Sequence, residues 1–157
     1  MINSLKVLFA FVLIALFVPA CTVTVEDNDP EPEVEISNQV AQGFVGENMP
    51  FTTETALVER TTLFNDEGYL FHLFDIDRDC TGQILGDVRF FLETPDVLTE
   101  GEYSGSGPFI GSTSFFGCDV IIEEVTDTTI TGKVRGGNFT ESGDMNIEGR
   151  FTATICM

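Results

Sequence analysis

Apolar and polar residues alternate along two segments in the second half of the chain. Ile130, Gly132 and Val134 occupy every second position of residues 128–135, with polar residues between them. Residues 145–156 repeat this pattern, and their apolar face consists of Met145, Ile147, Phe151, Ala153 and Ile155. A period of two places such residues on one face of a β-strand. We therefore predict two half-buried strands over these segments.

Further strands are predicted in the middle of the chain. In residues 87–93 the apolar positions share one face, except that Phe91 is apolar on the other. Residues 69–74 are apolar on both faces, which is typical of a strand in the middle of a sheet. Fainter alternation marks residues 40–45, 56–64 and 119–125. Residues 56–64 are also compatible with one or two helical turns.

Turn-forming residues separate these segments at short intervals, as they do in antiparallel sheets. Residues 101–107 contain three glycines and are predicted to form a flexible hairpin or connection. The pattern as a whole predicts one all-β domain over residues 39–157. We expect an antiparallel β-sandwich or flattened barrel of about seven or eight strands.

The first 20 residues have the features of a secretory signal peptide. Lys6 precedes an apolar run, and a small residue precedes Cys21. The run is shorter than the roughly 20 residues of a membrane-spanning helix, which makes a permanent anchor helix the less favoured alternative. Residues 18–21, Val-Pro-Ala-Cys, resemble the lipobox of bacterial lipoproteins. The resemblance implies that Cys21 is lipidated, begins the mature chain and anchors it in a membrane.

An acidic segment follows the lipobox. Residues 21–38 contain six acidic residues, two prolines and no aromatic residue. This composition predicts a disordered, solvated tether. Glu26 and Asp27 resemble the acids found behind the lipidated cysteine of surface lipoproteins in Bacteroidetes-type bacteria. The resemblance implies an outer-membrane location with the domain exposed at the cell surface, and a periplasmic orientation stays open.

The composition excludes some classes of partner. The chain has 7 Lys and Arg against 26 Asp and Glu, a formal net charge of −19, so its surface repels phosphates and nucleic acid is excluded. It has 15 Phe, two Tyr and no Trp, which argues against a carbohydrate-binding module. The pairs Phe90–Phe91 and Phe115–Phe116 are expected to place one ring on each face of a strand, more often in a core than at a partner site.

Lipidation of Cys21 leaves three cysteines, which allow one disulfide and one free thiol in an oxidising compartment. We favour a disulfide between Cys80 and Cys156, because it would join the exit of the central strand to the end of the last strand and close a long loop. A disulfide between Cys80 and Cys118 is the alternative. A zinc site is not expected, because the chain has no Cys-x-x-Cys pair.

The single histidine, His72, lies within the apolar segment 69–74. We expect it to be a packed core residue. A cysteine nucleophile would require a histidine beside it, and this position gives that role no support.

Asp75, Asp77 and Asp79 alternate directly after the central strand and would point the same way in an extended chain. Carboxylate oxygens are ligands that calcium prefers, so the three residues are a candidate calcium site. The segment lacks the Gly and Glu that an EF-hand loop carries at its sixth and twelfth positions. A solvated strand exit before the turn at residues 81–82 is the alternative.

Two short patterns resemble glycosylation acceptors. Residues 127–129, Asp-Thr-Thr, resemble the O-linked acceptor of exported Bacteroidetes-type proteins, with Thr128 as the acceptor, although a tight turn explains them equally well. Residues 138–140, Asn-Phe-Thr, match the N-glycosylation pattern, but a bacterial lipobox argues against that modification.

These features together resemble small lipoproteins of Bacteroidetes-type bacteria that carry a β domain of unknown function. The resemblance rests on the lipobox, the acidic spacer, the strand ending in Cys80 and the segments 129–134 and 148–156. It implies a location and a fold, and it supplies no active site.

No catalytic constellation is evident, so we predict a lipid-anchored envelope protein that is not an enzyme and acts as a monomeric binding or structural module with an unknown ligand. Calcium is the one cofactor that the sequence suggests. A calycin-like barrel that binds a lipid or inhibits a hydrolase is an alternative, and it would contain a cavity lined by Phe. A carboxylate-based hydrolase is another, and it would pair Asp75, Asp77 or Asp79 with Glu123 or Glu124.

Overall fold

The computed structural model describes residues 35–45, 49–81, 84–109, 117–137 and 145–157. These residues form nine β-strands and no helix, so the predicted all-β fold is confirmed. The strands are β1 (Gln42–Val45), β2 (Pro50–Thr52), β3 (Thr55–Leu63), β4 (Asp66–Phe74), β5 (Val88–Glu93), β6 (Gly101–Phe109), β7 (Gly117–Val125), β8 (Thr129–Gly137) and β9 (Met145–Ile155).

Strands β3 to β9 form a closed seven-stranded barrel. Each strand of this ring is antiparallel to the next one in the sequence. The ring is closed by a parallel pairing of β9 with β3. Strands β1 and β2 lie outside the ring, where β1 pairs with β9 and β2 pairs with β1. Of the two architectures predicted, the barrel is therefore the one formed.

We call the parallel pairing of residues 56–58 in β3 with residues 153–155 in β9 the seam. It contains only three register pairs. One edge of β9 pairs with β8. The other edge is divided between two strands, because residues Met145 to Glu148 pair with β1 and only the last residues of β9 pair with β3. The closure of the barrel therefore depends on a short contact between strands that are distant in the sequence.

A packed aromatic core fills the barrel. The rings of Phe71 and Phe90 are stacked with their centroids 4.6 Å apart, and the centroid of Phe151 lies 5.3 and 5.5 Å from theirs in T-shaped geometry. All three are buried and are surrounded by aliphatic residues from the other strands. Aromatic pairs at such distances contribute about 0.5–1.5 kcal/mol beyond the burial of their area. The axis of the barrel is thus solid.

Buried apolar side chains also lie on the outer face of β4 and β5. Leu70, Phe91 and Phe109 form a second buried cluster there. The structure confirms that the segment 69–74 lies in the middle of the sheet, between β3 and β5. It also confirms that Phe90 and Phe91 belong to opposite faces.

Strand β6 differs from the prediction made for its glycine-rich sequence. Residues 101–107, expected to be a flexible hairpin or connection, lie within β6, and residues 101–106 pair with β7. A Cβ atom at Gly105 would lie 2.7 Å from Cδ2 of Leu92 and 3.0 Å from Sγ of Cys118. This glycine therefore permits the close approach of three neighbouring strands, a role that the sequence pattern alone does not distinguish from a turn.

Two other segments depart from the sequence analysis. Residues 56–63 are extended, and the two-residue turn that follows has positive φ at Phe64 and Asn65, so the helical alternative is wrong. The packed domain also begins before residue 39. Ile36 is buried and the N–H of Ser37 donates to Glu148 at 3.1 Å, so this part of the expected tether contacts the domain.

Candidate functional site

Two hollows lie on either side of the seam. Strand β9 ends at Ile155, whereas β3 continues to Leu63. In the other direction, β3 begins at Thr55, whereas the earlier part of β9 pairs with β1. Each interruption of the pairing leaves a depression in the barrel wall. We call the hollow beyond the end of β9 the terminal pocket and the one beyond the start of β3 the wall cleft.

The terminal pocket is an apolar hollow of about 440 Å³. It lies at the end of the barrel where the loop 94–100, the turn after β7 and the C-terminal residues meet. Its apolar residues are Val58, Tyr69, Val97, Leu98, Val125, Ile130, Ile155 and Met157. Four polar residues complete the lining, namely Glu59, Arg60, Thr126 and the half-cystine Cys156.

The loop 94–100 is fixed over this end of the barrel by both tyrosines. The N–H of Leu98 donates to the hydroxyl of Tyr69 at 3.3 Å, and the hydroxyl of Tyr103 donates to the carbonyl of Thr99 at 3.0 Å. The side chain of Leu98 is buried and packs with the main core. Its neighbour Val97 is 71% exposed at the rim of the terminal pocket. The loop therefore holds an apolar side chain in solvent beside an apolar hollow.

Arg60 brings the one positive charge among the residues that line the terminal pocket. Its guanidinium donates to the carbonyl of Pro95 at 2.8 Å and lies 3.5 Å from Oε2 of Glu67. The side chains of Arg60 and Glu67 are 50% and 63% exposed, so this ion pair contributes little to stability. The guanidinium serves mainly as another support of the loop 94–100.

The wall cleft has about the same size, 460 Å³, and a more polar lining. It is bordered by Val40, Thr53, Glu54, Ala56, Glu124, Thr131, Arg150, Phe151 and Thr152. The hydroxyls of Thr131 and Thr152, which are register partners in β8 and β9, lie 3.2 Å apart. The cleft thus offers hydroxyl and charged groups around a small apolar floor.

The carboxylates predicted to pair in a hydrolase make separate contacts. Glu123 is held between Nζ of Lys133 at 3.4 Å and Nε of Arg150 at 2.9 Å. Glu124 lines the wall cleft, whereas Asp77 and Asp79 line a separate shallow depression around Arg78. The register of β7 shifts at residues 122–124, so the two adjacent glutamates serve different surroundings. The hydrolase alternative stays a prediction.

His72 is buried, as predicted, with 1% of its surface exposed. It projects from the outer face of β4, where its Nε2 lies 3.2 Å from Oε1 of Glu59. The backbone N–H of Gly86 donates to its Nδ1 at 3.2 Å. Burial lowers the pKa of His72 below its usual value, and the charge of Arg89 acts in the same direction, while Glu59 opposes both.

The favoured disulfide is formed between Cys80 and Cys156, whose Cα atoms are 5.4 Å apart. Cys156 directly follows the last residue of β9, and its N–H donates to the carbonyl of Val58. The bond therefore ties the segment after β4 to the seam. The alternative bond between Cys80 and Cys118 is wrong, because Cys118 is a free, buried thiol in β7.

Two of the three alternating aspartates make separate hydrogen bonds. Asp77 accepts a hydrogen bond from the hydroxyl of Thr55 at 3.5 Å, and Asp79 accepts bonds from the N–H and the hydroxyl of Thr81. All three carboxylates, including that of Asp75, are exposed. The bonds from Thr81 lower the pKa of Asp79. Within the described residues, no group of three or more His, Cys, Asp or Glu could hold a metal ion.

Thr128 is exposed in the turn between β7 and β8. The hydroxyl of Thr126 accepts hydrogen bonds from the N–H groups of Thr128 and Thr129, at 3.3 and 2.9 Å. These bonds account for the Thr-rich sequence as a turn, and glycosylation of Thr128 stays a prediction.

Several predicted features lie outside the described residues. They are the lipidation site Cys21, the signal peptide 1–20, most of the tether, the pair Phe115–Phe116 and the acceptor pattern at 138–140. Among the ranges that are described, no helix is long and apolar enough to cross a membrane.

The terminal pocket and the wall cleft could not be predicted from the sequence. Both arise because β9 changes its pairing partner, and this depends on contacts between strands about 100 residues apart in the chain. One local signal was available. Residues 94–100 combine turn residues with Val97 and Leu98, which is an apolar pair in an otherwise polar loop.

A functional assignment for this chain rests on the geometry described above. No protein-family model, no curated protein and no solved structure matches the chain.

Proposed function

We propose that the chain is a lipid-anchored envelope protein that binds a small apolar or amphipathic molecule in the terminal pocket. The observation that carries this proposal is the apolar hollow of about 440 Å³ beside the exposed side chain of Val97. Sites for small molecules commonly have volumes of about 300–1,000 Å³, mostly apolar walls and a few polar groups. The terminal pocket meets each of these criteria.

Packed side chains fill the interior of the barrel, which restricts where such a ligand could bind. A calycin-like binder would hold its ligand within the barrel, in a cavity lined by Phe. Here Phe71, Phe90 and Phe151 contact one another along the axis and are buried. The ligand would therefore occupy the end of the barrel, against Val125 and Ile155, rather than its interior.

The charge of the chain narrows the chemistry of the ligand. A formal charge of −19 disfavours a phosphate or carboxylate head group, because like charges repel at short range. The guanidinium of Arg60 is already engaged with Pro95 and Glu67. A neutral or cationic amphiphile with one apolar ring or chain is the class that fits this surface.

The proposed location rests on the sequence of the first 38 residues. The lipobox ending in Cys21 supports lipid anchoring, and the acidic spacer supports display away from the membrane. The disulfide between Cys80 and Cys156 adds support, because such bonds persist in oxidising compartments outside the cytosol. Mass spectrometry of the N-terminus should find a diacylated or triacylated Cys21, and an unmodified Met1 would contradict the anchor.

A titration with an apolar probe tests the binding proposal. N-phenyl-1-naphthylamine is neutral, and its fluorescence rises when it leaves water. We expect saturable binding to the full-length chain. Val97→Asp should weaken it by roughly tenfold or more, since a charge replaces apolar contact area at the rim.

The matched control is Val40→Asp, which makes the same chemical change at another exposed valine, bordering the wall cleft. This variant should bind the probe with the affinity of the wild type. Equal weakening in both variants, or no saturable binding at all, would show that the terminal pocket is not the site.

A further inference from the structure

A buried histidine connects two parts of the molecule that are distant in the sequence. His72 lies between Glu59 in β3 and the backbone of Gly86, in the segment that leads into β5. Both of its ring nitrogens are engaged, at 3.2 Å each. Its register partners in the sheet are Leu57 in β3 and Arg89 in β5.

The partners of His72 define its protonation state. The N–H of Gly86 can only donate, so Nδ1 must act as an acceptor and carry no proton. The proton of the neutral ring is then on Nε2, where it is donated to the carboxylate of Glu59. The backbone around residue 86 is thus bonded to the sheet through one specific neutral tautomer.

We infer that His72 is a proton-controlled latch, which holds the segment 84–87 on the outer face of the sheet when its ring is neutral and releases it when Nδ1 is protonated. Protonation turns Nδ1 into a donor that faces the donor N–H of Gly86, so this hydrogen bond is lost. The bond to Glu59 persists and becomes charge-assisted. The two ends of the connection therefore respond differently to acid.

The surroundings set the direction of the response. Glu59 and Arg89 are the charged side chains that change the pKa of His72. Its register partner in β3, Leu57, carries no charge. Burial lowers the pKa of His72 from its ordinary value near 6.5, Arg89 lowers it further, and Glu59 partly offsets both. The neutral ring and the closed latch consequently prevail at neutral pH, and release requires acidification below about pH 6.5.

Close packing makes the segment sensitive to this bond. A Cβ atom at Gly86 would lie 2.9 Å from Cβ of His72 and 3.0 Å from its Cα, so the backbone at residue 86 rests directly on β4. Glu59 also lines the terminal pocket. An effect of the latch on ligand binding rests on the proposed function, whereas the latch itself does not.

Nuclear magnetic resonance on the ¹⁵N-labelled full-length chain tests the latch directly. At pH 7.5 the ring of His72 should show the tautomer with its proton on Nε2. As the pH falls through the titration of His72, the protection of the Gly86 amide against hydrogen exchange should decrease roughly tenfold, with the same midpoint. The amide of Phe71, which is next to His72 in β4, should keep its protection over the same pH range.

Two substitutions separate the two bonds. Asn in His72→Asn can place its Oδ1 near the position of Nδ1, so Gly86 should stay protected at every pH. Gln in His72→Gln can reach Glu59 but leaves no acceptor for Gly86, whose amide should be unprotected at every pH.

The wild-type chain alone decides the question if either variant fails to fold. Protection of Gly86 that stays constant while His72 titrates would overturn the inference. A neutral ring with its proton on Nδ1 would overturn it as well. Neither result depends on whether the terminal pocket binds a ligand.

Discussion

At the scale of single residues, burial determines which polar groups are reactive. Cys118 is enclosed between β6 and β8, where Gly105 and Gly136 leave room for its side chain. Burial raises the pKa of its thiol to about 12, and the charge of Asp119 adds to this effect. A thiol with this pKa is protonated at neutral pH and is therefore a poor nucleophile. Cys118 serves as a small core residue.

We expect Cys118 to resist alkylation in the folded protein. After incubation with iodoacetamide at pH 8, peptide mass spectrometry should find Cys118 unmodified, and the same treatment in denaturant should modify it fully. The carboxamidomethyl group would not fit between the neighbouring glycines. Rapid modification under native conditions would mean that β7 is open to solvent.

At the scale of elements, small residues determine how closely strands approach. Strand β6 carries glycine where β5 and β7 press against it, and a Cβ at Gly105 would also lie 2.7 Å from the carbonyl oxygen of Phe91. Gly117, at the start of β7, would place a Cβ within 4 Å of no other atom in the described structure. The two glycines therefore form a natural pair for comparison.

Gly105→Ala should destabilise the protein by about 1–3 kcal/mol, because the added methyl group overpacks the contact between β5, β6 and β7. Gly117→Ala should change the stability by less than about 0.5 kcal/mol. Urea unfolding of both variants measures the difference. Equal midpoints would show that β6 is not packed as described.

Two kinds of strand could be predicted from the sequence, those with one solvated and one buried face and the central segment 69–74, which is apolar on both faces. The alternation in 129–135 and 145–155 reflects this difference directly, and β8 and β9 follow it closely. Strand β6 could not be predicted, because glycine is common both in turns and at crowded strand contacts. The short β2 was missed because three residues, one of them Pro50, carry no periodic signal.

At the scale of the whole molecule, one covalent bond supports the short pairing that closes the ring. The seam has three register pairs, and the disulfide between Cys80 and Cys156 joins its end to the segment after β4. The bond spans 76 residues, so it restricts the unfolded chain strongly. The disulfide between Cys80 and Cys156 is the pairing that the sequence favours, because the two residues lie at the exit of the central strand and the end of the last predicted strand. The hollows beside the seam could not be predicted, because they depend on the position at which β9 leaves β1 for β3.

Replacing both half-cystines in Cys80→Ser/Cys156→Ser should lower the free energy of unfolding by about 4 kcal/mol, the value expected from loop entropy. Thermal or urea unfolding measures the loss. Reduction of the disulfide in the wild type should lower the unfolding midpoint about as much as the double substitution does. An unchanged midpoint would mean that the seam is stable without the bond.

The most direct test of the central claim, a closed barrel that binds its ligand at one end, is a map of the binding site. A ¹⁵N-labelled full-length chain is titrated with N-phenyl-1-naphthylamine, and the amide shifts are followed. We expect the largest changes at Val97, Val125 and Ile155, with little change at Phe71. Changes centred on the aromatic core, or spread evenly over the outer surface, would contradict the account.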